Sequence, residues 1–202
     1  MEKEKPIQKR TIINRQKIIT AAKKLFNTKG YYQTNTKEIA KLAGVSTGSF
    51  YNYFPDKLEV FREIINDHLL ENSASLLDLI NALNERPEQA RESMIRYIHD
   101  GMDTAYKNLV MFQDYDSLVI AYPELGTTVN AVTNEIMAAL HNFCTQSPHV
   151  KRRTANPLVM SQMTFFMVQG ISIFISKLPD DIDKNEYEEQ LAEIAYWYLF
   201  GD

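Results

Sequence analysis

The side chains that could carry chemistry are unevenly spread along this chain of 202 residues. Met1 to Arg62 holds 13 Lys and Arg against 5 Asp and Glu, and the remainder holds 9 against 21, so a head of +8 precedes a body of −12. A basic head on an acidic body suits a polyanionic partner for the head alone. Other chemistries find little support. His68, His99, His141 and His149 show no metal-ligand spacing, and there is no glycine-rich phosphate loop, His-Glu-x-x-His pair or Ser-x-Gly elbow. The single cysteine, Cys144, can form neither an internal disulfide nor a cysteine metal cluster, which points to an intracellular, cytoplasmic protein. Asp100, Asp103, Asp114 and Asp116 read as a solvated acidic face. The expectation is a protein that is not an enzyme, with no metal and no cofactor.

Whatever the head binds must be positioned by helices. Gly and Pro are sparse, at seven each, hydrophobic periodicity is helical nearly throughout, and no stretch alternates as a strand does. The expected class is all-α, with about nine helices. The opening Met1-Glu-Lys-Glu-Lys-Pro has no apolar stretch and reads as a charged arm covering residues 1–10. The first helix is expected over 11–28, with Ile18, Ala22, Leu25 and Phe26 inside and Gly30 as its stop. Thr34 or Asn35 caps a second over 36–43, and Gly44-Val45 turns the chain. Ser46 or Thr47 caps a third helix, through about Phe54, which Pro55 ends. Ile39, Ala40, Leu42, Val45 and Phe50 are its expected core. Further helices follow over 56–84, from Pro87, over 108–122, after Pro123, over 156–177 and over 185–200, the last capped by Asn185. Polar loops fall at 145–153 and 178–184.

Three short helices with Gly-Val between the second and third form a helix-turn-helix pattern. The string Gly30 to Leu58, above all Ile39-Ala40, Ala43-Gly44-Val45, Phe50-Tyr51-Asn52-Tyr53-Phe54 and Lys57, resembles the signature of the TetR/AcrR family, the tetracycline-repressor-like regulators. The resemblance implies a helix-turn-helix DNA-binding domain over 11–57 and a helical ligand-binding and dimerisation domain over 58–202. It implies that the third helix enters the major groove, with Thr47, Gly48, Ser49 and Asn52 towards the bases and Ser46 also among the DNA-binding residues. Tyr51, Tyr53 and Lys57, with Thr34, Asn35 and Lys37, would hold the backbone. The third helix has neither Arg nor Lys, so the commonest guanine contact is missing from it. Asn52 suits adenine, and Thr47 and Ser49 suit thymine. Affinity should then rest heavily on phosphates and depend strongly on salt, with Lys9 and Arg10 contributing from the arm.

The body is rich in Met and aromatic residues. Tyr97, His99, Met102, Tyr106, Met111, Phe112, Tyr115, Met163, Phe166, Met167 and Gln169 are candidate lining for a lipophilic-ligand pocket. The stretch 158–175 is long enough to cross a membrane, but Ser161, Gln162, Thr164, Gln169, Gly170 and Ser172 argue against lipid. It is read as a dimer interface, Ile171 and Phe174 packing with Tyr187, Leu191, Ile194 and Tyr198 of the last helix in a four-helix bundle. The expected function is a homodimeric, ligand-responsive repressor. It would bind double-stranded operator DNA and be released by a small hydrophobic or amphipathic effector, with no membrane partner. The alternatives are a protein-interaction module of the same fold or a ligand-dependent activator.

Overall fold

The computed structural model describes residues 9–151 and 156–201, and all regular structure among them is helical. In chain order the helices are α1 Lys9–Lys29, α2 Thr36–Ala43, α3 Thr47–Tyr51, α4 Lys57–Glu85, α5 Ala90–Lys107, α6 Leu109–Gln113, α7 Tyr115–Ala121, α8 Pro123–Gln146, α9 Pro157–Ser176 and α10 Lys184–Phe200. A short 3-10 turn, Pro87–Gln89, leads into α5.

Local chemistry accounts for most boundaries. The Asn35 side chain accepts from the Glu38 amide while Glu38 reaches back to the Asn35 amide, a reciprocal cap that starts α2. Gly44 stops α2 at φ 69°, a left-handed conformation that only glycine enters without strain. The Ser46 hydroxyl accepts from Ser49 and starts α3. Proline opens α9 behind the Asn156 cap. Asp183, rather than Asn185, caps α10, because its carboxylate reaches the Asn185 amide.

Four boundaries depart from expectation. Helix α3 ends at Tyr51, with Asn52 as its C-cap, and does not run to about Phe54. Lys9 and Arg10 belong to α1 and not to an arm; residues 1–8 lie outside the described residues. The expected helix over 108–122 is broken into α6 and α7 at Asp114. Helix α8 runs on through Gln146, so the loop expected from Thr145 begins at Ser147; residues 152–155 lie outside the description.

The chain divides into two compact units. One comprises the residues up to His68 together with Asn108–Gly126; the other comprises Leu69–Lys107 and the residues from Thr127 onward. In the first, Ile18, Ala22 and Phe26 of α1 meet a core of Ile39, Ala40, Phe50, Phe54, Val60 and Phe61, all fully or almost fully buried. Phe26, Tyr31 and Phe61 stack mutually at 5.3–5.6 Å between ring centres. Each such ring stabilises the fold by roughly 1.5–3 kcal/mol on burial. Leu42, expected in this core, is 47% exposed, and Val45 is only half-buried, because both line open grooves beside α1 and do not point beneath it.

The second unit has two apolar clusters. One gathers Leu83, Met94, Leu140, Phe143, Cys144, Met160 and Leu199, and the other Ile98, Met102, Ile175, Leu191 and Ala192. Among the described residues, α9 is the one helix long and apolar enough to cross a membrane.

Candidate nucleic-acid interface

The reader is built on α2, the turn and α3. Lys37, Ser46, Gly48, Tyr51 and Asn52 are exposed, and Thr47, Ser49 and Tyr53 are half-buried. Much of this surface is pre-ordered. The Tyr51 and Thr36 hydroxyls meet at 3.0 Å, tying α3 to the start of α2. The Ser46 and Ser49 hydroxyls meet at 2.8 Å. Asn14 of α1 donates to the Tyr53 phenol at 3.3 Å. Fixing these side chains in advance lowers the entropy cost of engaging a ligand.

Two residues expected to touch nucleic acid are instead engaged by the protein's own backbone carbonyls. Thr34 is buried, and its hydroxyl donates to the Gly30 carbonyl at 2.8 Å. The Lys57 ammonium donates to the carbonyls of Tyr31 and Thr34 at 2.7 and 2.8 Å and lies 4.1 Å from the centre of the Tyr31 ring. Burial lowers its pKa, and the nearby Asp114 carboxylate opposes that shift. Its job is to brace the loop between α1 and α2. The Asn35 side chain is likewise spent on the α2 cap.

Asp114 is the residue that sequence reasoning misplaced. It is not part of a solvated acidic face. Its carboxylate accepts from the Tyr31 amide at 2.7 Å, and a Cβ added to Gly30 would stand 2.7 Å from the same oxygen. Gly30 has φ 81°, so a side chain there is excluded by backbone conformation as well as by space. Asn108 accepts from Asn27 at 3.0 Å and Ser117 meets Tyr32 at 3.0 Å. The segment carrying α6 and α7 thus clamps the loop that places α2. No local signal announces such a contact, because the partners lie more than 80 positions apart in sequence.

The remaining charges decide what the surface can do. Arg15 pairs with Glu63 and lies over the Phe54 ring, Lys29 pairs with Glu38, and Arg62 pairs with Glu59. Arg10, Lys17, Lys24, Lys37 and Lys41 stay exposed and form no ion pair among the described residues. Arg10 and Lys17 line a groove of about 610 Å³ with Asn14, Gly44, Ser46 and Ser49, beside the start of α3. Cations alternating with hydroxyls next to an exposed helix end are the chemistry of phosphate-backbone contact. Sequence reasoning missed Asn14 and Lys17 because only the fold brings α1 against the turn.

The residues expected to line a ligand pocket are divided between the two units. In the second unit Tyr97, Met102, Tyr106 and Met167 share one apolar cluster, and His99 and Tyr106 both meet Glu188. Met111 is fully buried in the first unit, where Phe112 packs on His68 at 4.9 Å and Tyr115 opens α7. Met163 and Phe166 are 56% and 59% exposed, and Gln169 is exposed with them, on the outer face of α9. Of the expected interface residues, Phe174, Tyr187 and Ile194 are exposed, as is Trp197, with Phe174 stacked on Tyr187 at 6.4 Å. Leu191 is core, and Ile171 and Tyr198 pack partly into their own unit, because their positions on α9 and α10 turn inward.

Comparison with known proteins agrees with the geometry. The sequence pattern described as "Bacterial regulatory proteins, tetR family" matches residues 18–64. The uncharacterized HTH-type regulator YuxN of Bacillus subtilis is 31% identical over 77% of this chain, which spans about half (51%) of YuxN's length. An uncharacterized HTH-type regulator of Lactococcus lactis, in the lacX 3′ region, is 30% identical over 90% of this chain and 92% of its own. Among solved structures, a TetR-family regulator from Mesorhizobium loti superposes with a TM-score of 0.75 at 20% identity, covering 95% of this chain and 97% of that one. The regulator FadR of Bacillus subtilis, in complex with stearoyl-CoA, superposes with a TM-score of 0.64 at 19% identity, over 93% and 98% of the two chains. The chain belongs to the TetR family of bacterial helix-turn-helix transcriptional regulators.

Proposed function

We propose that the chain acts as a homodimeric repressor that holds operator DNA through α3 and lets go when a small lipophilic or amphipathic effector binds its second unit. The observation that carries this reading is the pre-ordered reader: α3 followed by an exposed Asn52, a preceding α1–α2 loop braced by Lys57 and Asp114, and flanking cations that form no ion pair among the described residues. Base selection falls to Asn52, Thr47 and Ser49, and affinity to Arg10, Lys17 and Lys37.

A dimer places two readers about one helical turn, roughly 34–36 Å, apart, and a shift of a few ångströms breaks that register. The exposed apolar side chains of α9 and α10, among them Phe166, Phe174, Tyr187 and Trp197, support self-association, since water contact with so many large apolar groups is costly. The same covering accounts for an apolar α9 without a membrane. The neighbour FadR holds stearoyl-CoA, which supports a lipophilic effector in this fold.

The test is a gel shift with the DNA that flanks the protein's own gene, scored against shuffled DNA of equal length. Preferential retention at physiological salt is expected. Equal affinity for both DNAs would sink the reading. In parallel, sedimentation of Trp197→Glu should report a weakened dimer; an unchanged dimer would remove the α9–α10 assignment.

A further inference from the structure

We propose that the groove between α1 and α2 is a docking site for an acidic amphipathic helix of another protein, and that a guest there competes with nucleic acid for Lys17. This goes beyond DNA binding and effector release; only the competition rests on the DNA-reading assignment. The groove has a volume of about 590 Å³. Buried Ala21 and Ala43 form its floor, and Ile13 and Leu42, 45% and 47% exposed, are its apolar walls. Lys17 and Lys24 line it as well, both exposed and without an ion pair among the described residues. Among the described residues no acid lines it.

Shape and charge select the guest. The α1 side of the groove, Ile13, Gln16, Lys17, Thr20, Ala21 and Lys24, repeats at helical spacing over three turns. That span is about 17 Å, the length of a three-turn guest helix. The small floor residues permit close approach, so a helix can lay an apolar stripe between Ile13 and Leu42. Lys17 and Lys24 stand about 10 Å apart along α1 and suit two carboxylates at a matching separation. A nucleic-acid backbone would answer the lysines but leave Ile13 and Leu42 in water. A small lipophile fits poorly, because binding pockets cover most of their ligand and both walls here are half exposed. The groove beside the start of α3 also includes Ile13 and Lys17. A helix seated over Lys17 therefore withdraws that ammonium from phosphate and places carboxylates where the backbone has to pass.

The experiment is fluorescence anisotropy of the full chain with a labelled helical peptide of about 15 residues, Leu along one face and Glu on both flanks. Two controls share its length: a twin with every Glu replaced by Lys, and a scrambled order of the same composition. The acidic helix should bind at least about tenfold more tightly than either. Leu42→Ser, at an exposed position, should weaken it about tenfold, and Lys24→Gln about threefold. Neither substitution should shift affinity for the flanking DNA by more than about twofold. In a competition gel shift the peptide should displace that DNA from the wild type. Equal binding of either control, or an affinity unmoved by Leu42→Ser, would overturn the docking site. Leu42→Ser weakening DNA as much as peptide would assign the groove to the DNA interface instead. Assemblies beyond the dimer in sedimentation, dissolved by Leu42→Ser, would assign it to a second copy of this chain. A stable ternary complex of DNA, chain and peptide would remove the competition. If the chain retains no DNA, the reader assignment fails and the peptide titrations still decide the docking site.

Discussion

Replacing Lys57 with Met separates two jobs that an ammonium at this position can do. If it braces the loop, its loss strands the Tyr31 and Thr34 carbonyls, which it meets at 2.7 and 2.8 Å, and removes the cation over the Tyr31 ring. Hydrogen bonds with a charged partner contribute about 1.5–3 kcal/mol each when sheltered. Lys57 is only half-buried, so solvent screening reduces the pair to about 2 kcal/mol in all. For a chain of this length that lowers Tm by about 4–8 °C. If Lys57 instead held a phosphate, stability would scarcely change and the plot of log affinity against log salt would flatten by about 0.9. The assay is a thermal melt of the full chain, paired with fluorescence anisotropy on operator DNA at several salt concentrations. The expected result is a lowered Tm, weaker binding to all DNA and an unchanged slope. An unchanged Tm with a flatter slope would refute the bracing role.

Asn52→Ala should weaken specific binding by about 1–3 kcal/mol and leave non-specific binding nearly intact; equal losses on both DNAs in competition gel shifts would remove the base-contact role. Gly30→Ala should cost about 1–3 kcal/mol in a urea melt, from a left-handed backbone and a Cβ 2.7 Å from Asp114 Oδ2. Adding Asp114→Ala should recover only the steric part; full recovery would show that backbone strain is negligible. Burial pushes the Cys144 thiol up to about 11, so the folded protein should resist a thiol reagent at pH 8, and reaction at the unfolded rate would contradict the packing. Between the ordinary value of 9.0 and about 11 the unfolded chain loses a proton that the folded chain keeps. Stability should therefore fall as pH rises through that window, and Cys144→Ala should flatten this part of the profile.

The reader was legible because its information is local. Ile39, Ala40, Gly44 and Phe50 serve within a few residues of where they stand, and caps and turns obey rules written over three or four positions. Buried Ile18, Ala22 and Phe26 followed from helical period for the same reason. The errors share a different origin. Lys57 and Thr34 have residue types suited to phosphate, yet a backbone carbonyl of the α1–α2 segment, 23 positions from Lys57 and four from Thr34, claims each donor first. Asp114 looked like one acid among four until its partner, Tyr31, was placed beside it. Met163 and Phe166 have the right composition for a pocket, but their facing around α9 depends on which side of an apolar helix the rest of the unit covers. An almost uniformly apolar helix leaves that choice open. Glu188 was passed over because an acidic residue in an acidic helix gives no sign of burial.

The loop held by Asp114 has a consequence for the order in which the chain is made. The unit that contains the reader is discontinuous in sequence, ending once at His68 and again at Gly126. On the ribosome its first 68 residues emerge without the carboxylate that receives Tyr31 or the amide that pairs with Asn27. At about 5–20 residues per second, the missing 58 residues (126 minus 68) arrive about 3–12 s later. A reader finished only then is completed while the second unit is still being synthesised. Exchanging readers between relatives by cutting after α4 begins would sever the same clasp, so a working chimera has to carry Asn108–Gly126 along with the head.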